Sequence, residues 1–342
     1  MLTMTTKKLL VLLGTLILAA VLMTACAGEP GAAGPAGPAG PAGPQGPAGE
    51  PGASASAADL TCTECHNDTA IITRHKANWT TSVHGSGPGL AYAGERTDCA
   101  GCHDGAAFSE MIAAGLNFSQ VESGNTAPTH QDCRTCHQIH VTYTGEDWAL
   151  ETTAPVVMVT SGATFDGGNG NLCANCHQAR KNFEGFVNAD DASLYNVKVR
   201  FNTHYSVQAD TLMGLGGTGV EGKPGAHYNM VENTCAGCHM GENQVHTFEP
   251  QMSTCVACHA DAEDFNVNGF VTAFDEKYLA LEEKLLALGV IDAEGNTLIE
   301  TADVNVATAL WNYNLVHEDG SNGLHNPNYF EALLDAALAG LE

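Results

Sequence analysis

The chain has 342 residues and a formal net charge of -26, which excludes nucleic acid as a partner because phosphate binding needs a basic surface. Aromatic residues make up only 6 %, so an ordinary side-chain core is thin, while 13 cysteines and 15 histidines point to bound cofactors.

In chain order, Lys7 and Lys8 precede an apolar run from Leu9 to Leu22. A span needs about 20 apolar residues, so residues 1–25 read as a secretory signal rather than an anchor. The run ends Met23-Thr24-Ala25-Cys26, which resembles the lipobox of bacterial lipoproteins. That resemblance implies a lipidated Cys26 as the first mature residue. Gly28 close behind it, where an Asp would mark retention, implies sorting to the outer membrane.

From Gly28 to Gly52 every third residue is glycine, with prolines between, and residues 26–58 form the expected stalk. The period is that of collagen, where only glycine fits at the axis of three polyproline-II strands. Two readings stay open: a semi-rigid spacer of up to roughly 80 Å at polyproline-II rise, which we prefer, and a short trimerising triple helix.

Six copies of Cys-x-x-Cys-His follow: Cys62/Cys65/His66, Cys99/Cys102/His103, Cys133/Cys136/His137, Cys173/Cys176/His177, Cys235/Cys238/His239 and Cys255/Cys258/His259. Each is the attachment pattern of a c-type haem. Cysteines three apart lie on one side of a helical turn, so both sulfurs reach one porphyrin edge. The histidine that follows supplies the proximal nitrogen to iron. Structural zinc also uses Cys-x-x-Cys, but six copies all followed by His favour six covalent haem c groups. Twelve of the 13 cysteines are thereby used and Cys26 is the last, which leaves none for disulfides.

Residues 59–264 read as a six-haem domain whose segments between motifs, rich in Gly, Asn, Asp and Thr, are loops and turns. Motif starts are 37, 34, 40, 62 and 20 residues apart, which excludes a solenoid of equal repeats. Residues 265–342 read as a helical tail packing on that domain. Tyr278, Leu281, Leu285 and Leu288 recur at helical spacing before Gly289. A second helix is expected from about Asp303 to Val316, burying Val304, Trp311 and Leu315. A third opens at Asn326-Pro327, with Asn as N-cap, and buries Phe330, Leu334 and Leu338 before Gly340. The expected class is mainly α with extensive loops, a haem-packed core, a helical tail and a polyproline-II stalk.

Nine histidines remain for the distal faces of six irons, so bis-histidine ligation is expected and Met213 or Met240 is not needed. His204 lies in the long gap between the fourth and fifth motifs. His140, three residues beyond His137, competes with His130. His75 and His317 are expected to be solvated, His317 near a helix C-terminus.

The segment His227…Cys235-Ala-Gly-Cys238-His239-Met240…His246…Cys255-Val-Ala-Cys258-His259…Leu324-His325-Asn326-Pro327 resembles the back half of the pentahaem nitrite reductases. It shares that order with octahaem reductases and hydroxylamine oxidoreductase. The resemblance implies that His227, His246 and His325 are distal ligands. His84, after Trp79-Thr-Thr-Ser-Val, resembles a further distal-ligand segment of that superfamily. Residues Cys133 to Arg180 instead resemble multihaem cytochromes of metal-reducing bacteria. Two departures withhold the reductase activity: all six motifs end in His where the catalytic haem of the family has Lys, and Gly241 replaces the proline after Met240.

The expected function is a lipid-anchored hexahaem cytochrome carrying electrons at the outer membrane or cell surface, in extracellular or anaerobic respiration, with no catalytic residue. Its expected partners are other multihaem cytochromes or periplasmic and outer-membrane donors, and an extracellular metal or small-molecule acceptor. The first alternative is a reductase of nitrite, hydroxylamine or a sulfur oxyanion, with Arg180 and Tyr205 as polar groups at an open iron. The second is a subunit of a cytochrome filament.

Overall fold

Helix α1 (Ala70–Thr81) is followed by two short helical turns, Val83–Ser86 and Gly89–Ala93, before the second motif, which sits on α2 (Thr97–His103), and α3 (Gly105–Ala113) follows directly. These positions come from a computed structural model that describes His66, residues 70–122, Gly124 and residues 127–342, all within the unit Ala55–Glu342. The signal segment, Cys26, the Gly-X-Y stretch, Cys62 and Cys65 lie outside the described residues. No helix among the described residues is long and apolar enough to cross a membrane.

Segments expected as loops between motifs therefore carry helix as well. The reason for α3 is local. The buried Asp104 carboxylate accepts the N–H groups of Ala106 at 3.1 Å and Thr129 at 2.9 Å, so it caps the helix and ties it to the approach to the third motif. Phe108 and Met111 then give α3 a buried apolar face. The third motif starts on a single turn, Cys133–Cys136, closed by reciprocal bonds between Asp132 and Thr135. The fourth, fifth and sixth begin on short helical segments of five, six and four residues, Gly170–Ala174, Thr234–His239 and Met252–Cys255.

Strand β1 (Val156–Val157) pairs antiparallel with β2 (Thr164–Phe165). Strand β3 (Leu194–Asn196) pairs antiparallel with β4 (Thr301–Asp303), Tyr195 opposite Ala302. The second pair joins the stretch after the fourth motif to the entrance of the C-terminal helices. Helix α4 (Gln208–Leu212) lies between these strands in sequence.

Three C-terminal helices follow: α5 (Phe270–Ala287), α6 (Val304–Asp319) and α7 (Pro327–Gly340). Gly289, at φ +67, turns the chain after α5 in a conformation that costs glycine little. Asp303 caps α6 by accepting from Asn305 and Val306. Val304, expected inside, is exposed because it lies at the helix end outside the packed stripe, and Leu288, at the end of α5, is exposed too. Asn326 holds the expected N-cap position of α7, with Pro327 at the first helical position, but its side chain makes no capping bond. It is buried, and its side-chain amide donates to Thr211, Leu212 and Lys223 carbonyls, which bolts α7 to the region around α4.

The largest apolar cluster is an ordinary side-chain core, contrary to the expectation of a thin one. Trp311 is fully buried and its ring lies 5.2 Å from Phe201, 5.6 Å from Phe186 and 5.8 Å from Phe183. Edge-to-face packing of this kind adds to the burial itself. Leu310, Leu315, Phe330, Leu333 and Leu334 complete the cluster. The core is thus built jointly by residues 179–220 and the three C-terminal helices. Its few aromatics are concentrated there, and the motif region is left with two small clusters.

Candidate metal centres

In the third, fourth and sixth motifs the histidine N–H bonds back to the carbonyl of the first cysteine at 2.8, 2.9 and 2.8 Å. That i to i−4 closure is one helical turn, which sets the two cysteines on one side with the histidine at its end.

Each motif histidine faces one other histidine. Ring centroids are 6.0 Å apart for His66 and His140, 6.2 Å for His103 and His204, and 6.3 Å for His137 and His246. They are 6.1 Å apart for His177 and His84, and 6.3 Å for both His259 with His227 and His239 with His325. Two imidazoles bound to one metal ion through bonds of about 2 Å place their ring centres roughly 6 Å apart. His130 faces no motif histidine among the described residues. His75 departs from expectation: it is half-buried rather than solvated, and its Nδ1 is enclosed without a hydrogen-bond partner. Its ring lies 4.4 Å from that of His246, too close for an ion between them. His317 is exposed on the last turn of α6, its Nδ1 3.3 Å from the Tyr278 hydroxyl.

Hydrogen bonds select the tautomer of half of these rings. A carbonyl can only accept, so an Nδ1 bonded to one carries the proton and leaves the Nε2 lone pair free. His227 donates to Leu324 at 2.6 Å, and His137, His239 and His246 donate to Trp148, Phe248 and Gln244 at 2.7 Å. His177 meets the Gln208 side-chain oxygen at 3.0 Å, and His325 meets both Asp319 oxygens at 2.9 Å. Burial, then His177, holds His84 down to about 4. Burial, then Arg180, does the same for His204. Both rings are therefore neutral at physiological pH, the state that binds a metal.

Two of these rings sit on strained backbone. His140 has φ +68 and His204 φ +88, conformations that non-glycine residues adopt only when their surroundings impose them. For His140 the constraint is Asp147, whose buried carboxylate accepts from the main-chain N–H of His140, Thr142 and Tyr143 at 2.8, 2.7 and 3.1 Å. Asp147, Gln208 and Asp319 went unread in the sequence, because no spacing rule links them to the rings they hold.

The motifs also adjoin one another. Cys102, Cys136 and Cys176, from the second, third and fourth, pack around Phe108, Met111 and Leu172. The Cys176 thiol lies 3.9 Å from the Gly101 carbonyl, inside the second motif, and the turn that carries Cys173 packs against the turn that carries Cys235 of the fifth motif. Thr234, opening the fifth motif, donates to the Gly167 carbonyl just ahead of the fourth. The fifth and sixth motifs adjoin where the Gln251 N–H, just ahead of the sixth, donates to the Cys238 carbonyl at 3.2 Å. Phe248 stacks edgewise on His84 at 4.8 Å and on His246 at 5.9 Å.

A cavity of about 1700 Å³ runs along these motifs, lined by cysteines of the second, third, fourth and sixth. Val83, Met230 and Tyr205 line it while 81, 72 and 70 % exposed, which leaves a large apolar surface in need of a flat apolar cover. Paired imidazoles, paired thiols and an apolar cleft are the donor set and cradle of a covalently tethered haem, so the residues fit that group. Arg180 lines the cavity too, its guanidinium donating to the Asp98 carbonyl at 2.8 Å, and Met240 is part of the wall. Met213 packs instead on the cluster around Met158.

Residues 51–138, which contain the first three motifs, match the family model of cytochrome c7 and related cytochrome c. No match is found among curated proteins. Among solved structures the chain is similar to the crystal structure of outer cell wall cytochrome OcwA, with 20 % identity and a TM-score of 0.50 over 78 % of this chain. It spans 50 % of that protein's length. It is also similar to an undecaheme cytochrome from the S-layer of Carboxydothermus ferrireducens, with 20 % identity, a TM-score of 0.44, and coverage of 74 % of this chain and 40 % of that one. Residues 51–138 are therefore similar in sequence to cytochrome c7, and over the matched part of the chain the fold is that of a multihaem cytochrome.

Proposed function

We propose that the protein is a hexahaem c-type cytochrome that carries electrons outside the cytoplasm. The twelve motif cysteines tether six haem c groups. The axial pairs are His66/His140, His103/His204, His137/His246, His177/His84, His239/His325 and His259/His227. The observation that carries this reading is the near-constant separation of those six pairs, 6.0 to 6.3 Å, in stretches of chain otherwise unlike one another. When bound, the haem irons supply one-electron redox chemistry, and histidine on both faces keeps their potentials low.

The chain's own residues hold the rings neutral, fix their tautomers and bring the motifs together. The fourth motif adjoins the second, third and fifth, and so stands at a junction between arms that end near the first, second and sixth. Every motif histidine faces another histidine, which favours a carrier over a reductase with an open iron.

Lipidation at Cys26, attachment to the outer membrane and the Gly-X-Y stalk complete the proposal, with the stalk holding the cytochrome away from the lipid. The partners are other redox proteins on one side and an extracellular metal or small-molecule acceptor on the other. Similarity to a cell wall cytochrome supports an exported location. The mature polypeptide is expected to carry the mass of six haem c groups, with all six irons six-coordinate and low-spin. Carbon monoxide binding at one site per native chain would overturn the carrier reading in favour of a reductase.

A further inference from the structure

Six of the facing rings have an Nδ1 partner, and five of those partners are neutral oxygens: four backbone carbonyls and the side-chain oxygen of Gln208. Among the described residues His325 alone meets a carboxylate, and it meets both oxygens of Asp319 at 2.9 Å. Asp319 is an unfavourable place for a charge. It is 4 % exposed, and it is the last residue of the 16-residue helix α6, where the helix dipole is negative. A carboxylate there costs both desolvation and repulsion unless donors converge on it.

Donors do converge. The Thr211 and Ser321 hydroxyls both donate to it, one to each oxygen, in addition to the His325 ring. The last carbonyls of α6 are satisfied separately: Gln208 Nε2 donates to Glu318 and Asp319 at 3.4 and 3.1 Å, while the same side chain's oxygen faces His177 Nδ1. One helix end therefore addresses an axial ring of the fourth motif through a neutral amide and one of the fifth through a charge.

We propose that Asp319 is a positioning residue that makes the iron of the fifth motif, held by His239 and His325, the lowest in potential of the six. This rests on the reading of those two histidines as axial ligands. A carboxylate accepting the Nδ1 proton makes the imidazole a stronger donor, which favours the oxidised iron. The neutral partners at five of the other rings do this more weakly. The turns that open the fourth and fifth motifs pack against each other, with the Thr234 hydroxyl donating to the Gly167 carbonyl at 3.0 Å, so the arrangement builds a potential step between adjacent centres.

The test is potentiometric titration of the full-length holoprotein, with the low-spin signals followed by electron paramagnetic resonance. Asp319→Asn keeps the size and one acceptor but removes the charge. One midpoint potential of six, the lowest, is expected to rise, with the g-values of one low-spin iron shifting and the other five unchanged. Gln208→Glu is the converse and should lower a different potential by placing a charge against His177. Six unmoved potentials in Asp319→Asn, or all six displaced together, would overturn the proposal. If Asp319→Asn does not mature, Gln208→Glu decides: no lowered potential overturns it. A native protein lacking low-spin signal from the fifth motif would instead show that the ligand reading has failed, and the proposal with it. Six low-spin irons with unmoved potentials would sink the role of Asp319 alone.

Discussion

The main-chain N–H of His140 donates to the Asp147 carboxylate at 2.8 Å, and that one side chain also holds Thr142 and Tyr143. His140 has φ +68, so the loop is kept in a conformation it would leave if the acceptor were removed. Asp147→Ala is expected to free His140 from His66 while leaving the other five pairs in place. Magnetic circular dichroism of the holoprotein should then show one high-spin haem in six. An unchanged six-of-six low-spin spectrum would mean that the loop holds its shape without Asp147.

The paired geometry separates His140 from its competitor. His140 lies 6.0 Å from His66, whereas His130 faces no motif histidine among the described residues. His140→Ala should therefore admit carbon monoxide at one iron per chain in the reduced protein, and His130→Ala at none. His84→Ala should likewise open one site, opposite His177. Carbon monoxide binding to the His130 variant but not the His140 variant would reverse the assignment.

How much of this was legible beforehand depended on distance along the chain. Cys-x-x-Cys-His is local, so the six motifs could be read outright. His204 stood out because it fills a 62-residue gap between motif starts. Gln208 could not be tied to His177, 31 positions away, because that contact is made only when α4 folds back on the fourth motif, and Asp319, although six positions from His325, is joined to it by an irregular turn that no periodic spacing marks. The side-chain core escaped for the same reason. Phe183, Phe186 and Phe201 look like isolated aromatics in a loop-rich stretch until Trp311, more than a hundred residues later, gathers them. Low average aromatic content hid a local concentration.

That core suggests a stability prediction. Trp311 is fully buried, and its indole N–H donates to the Gly216 carbonyl at 2.8 Å. Trp311→Ala should cost about 3–5 kcal/mol, the usual range for emptying a buried aromatic site. Phe201, three residues before His204, loses one of its three ring neighbours in the same change. Chemical denaturation followed by both far-UV dichroism and the Soret band should therefore show the lower midpoint, with the ligand opposite His103 lost ahead of global unfolding. A midpoint within error of the parent would show that the haems, not this cluster, set stability.

Glu318 gives the protein an unusual response to pH. Burial pushes its carboxyl from the ordinary 4.5 up to about 7, despite the Thr203 hydroxyl 3.2 Å away and the nearby Lys181 charge. A raised carboxyl binds its proton more tightly in the folded chain than in the unfolded one. Its contribution to stability is therefore complete below about pH 4.5 and is lost as pH rises through about 7. Glu318→Gln keeps the shape and the neutral state at every pH, so it should flatten that part of the profile. At about 1.4 kcal/mol per pH unit the difference between variant and parent should grow by up to about 3 kcal/mol from pH 4.5 to pH 8. The comparison is made between variant and parent because the axial histidines titrate in the same range in the unfolded chain and cancel only in that difference. Denaturant midpoints at four or five pH values would check it, and parallel curves for the two proteins would show that Glu318 is ionised in the fold like any surface carboxylate.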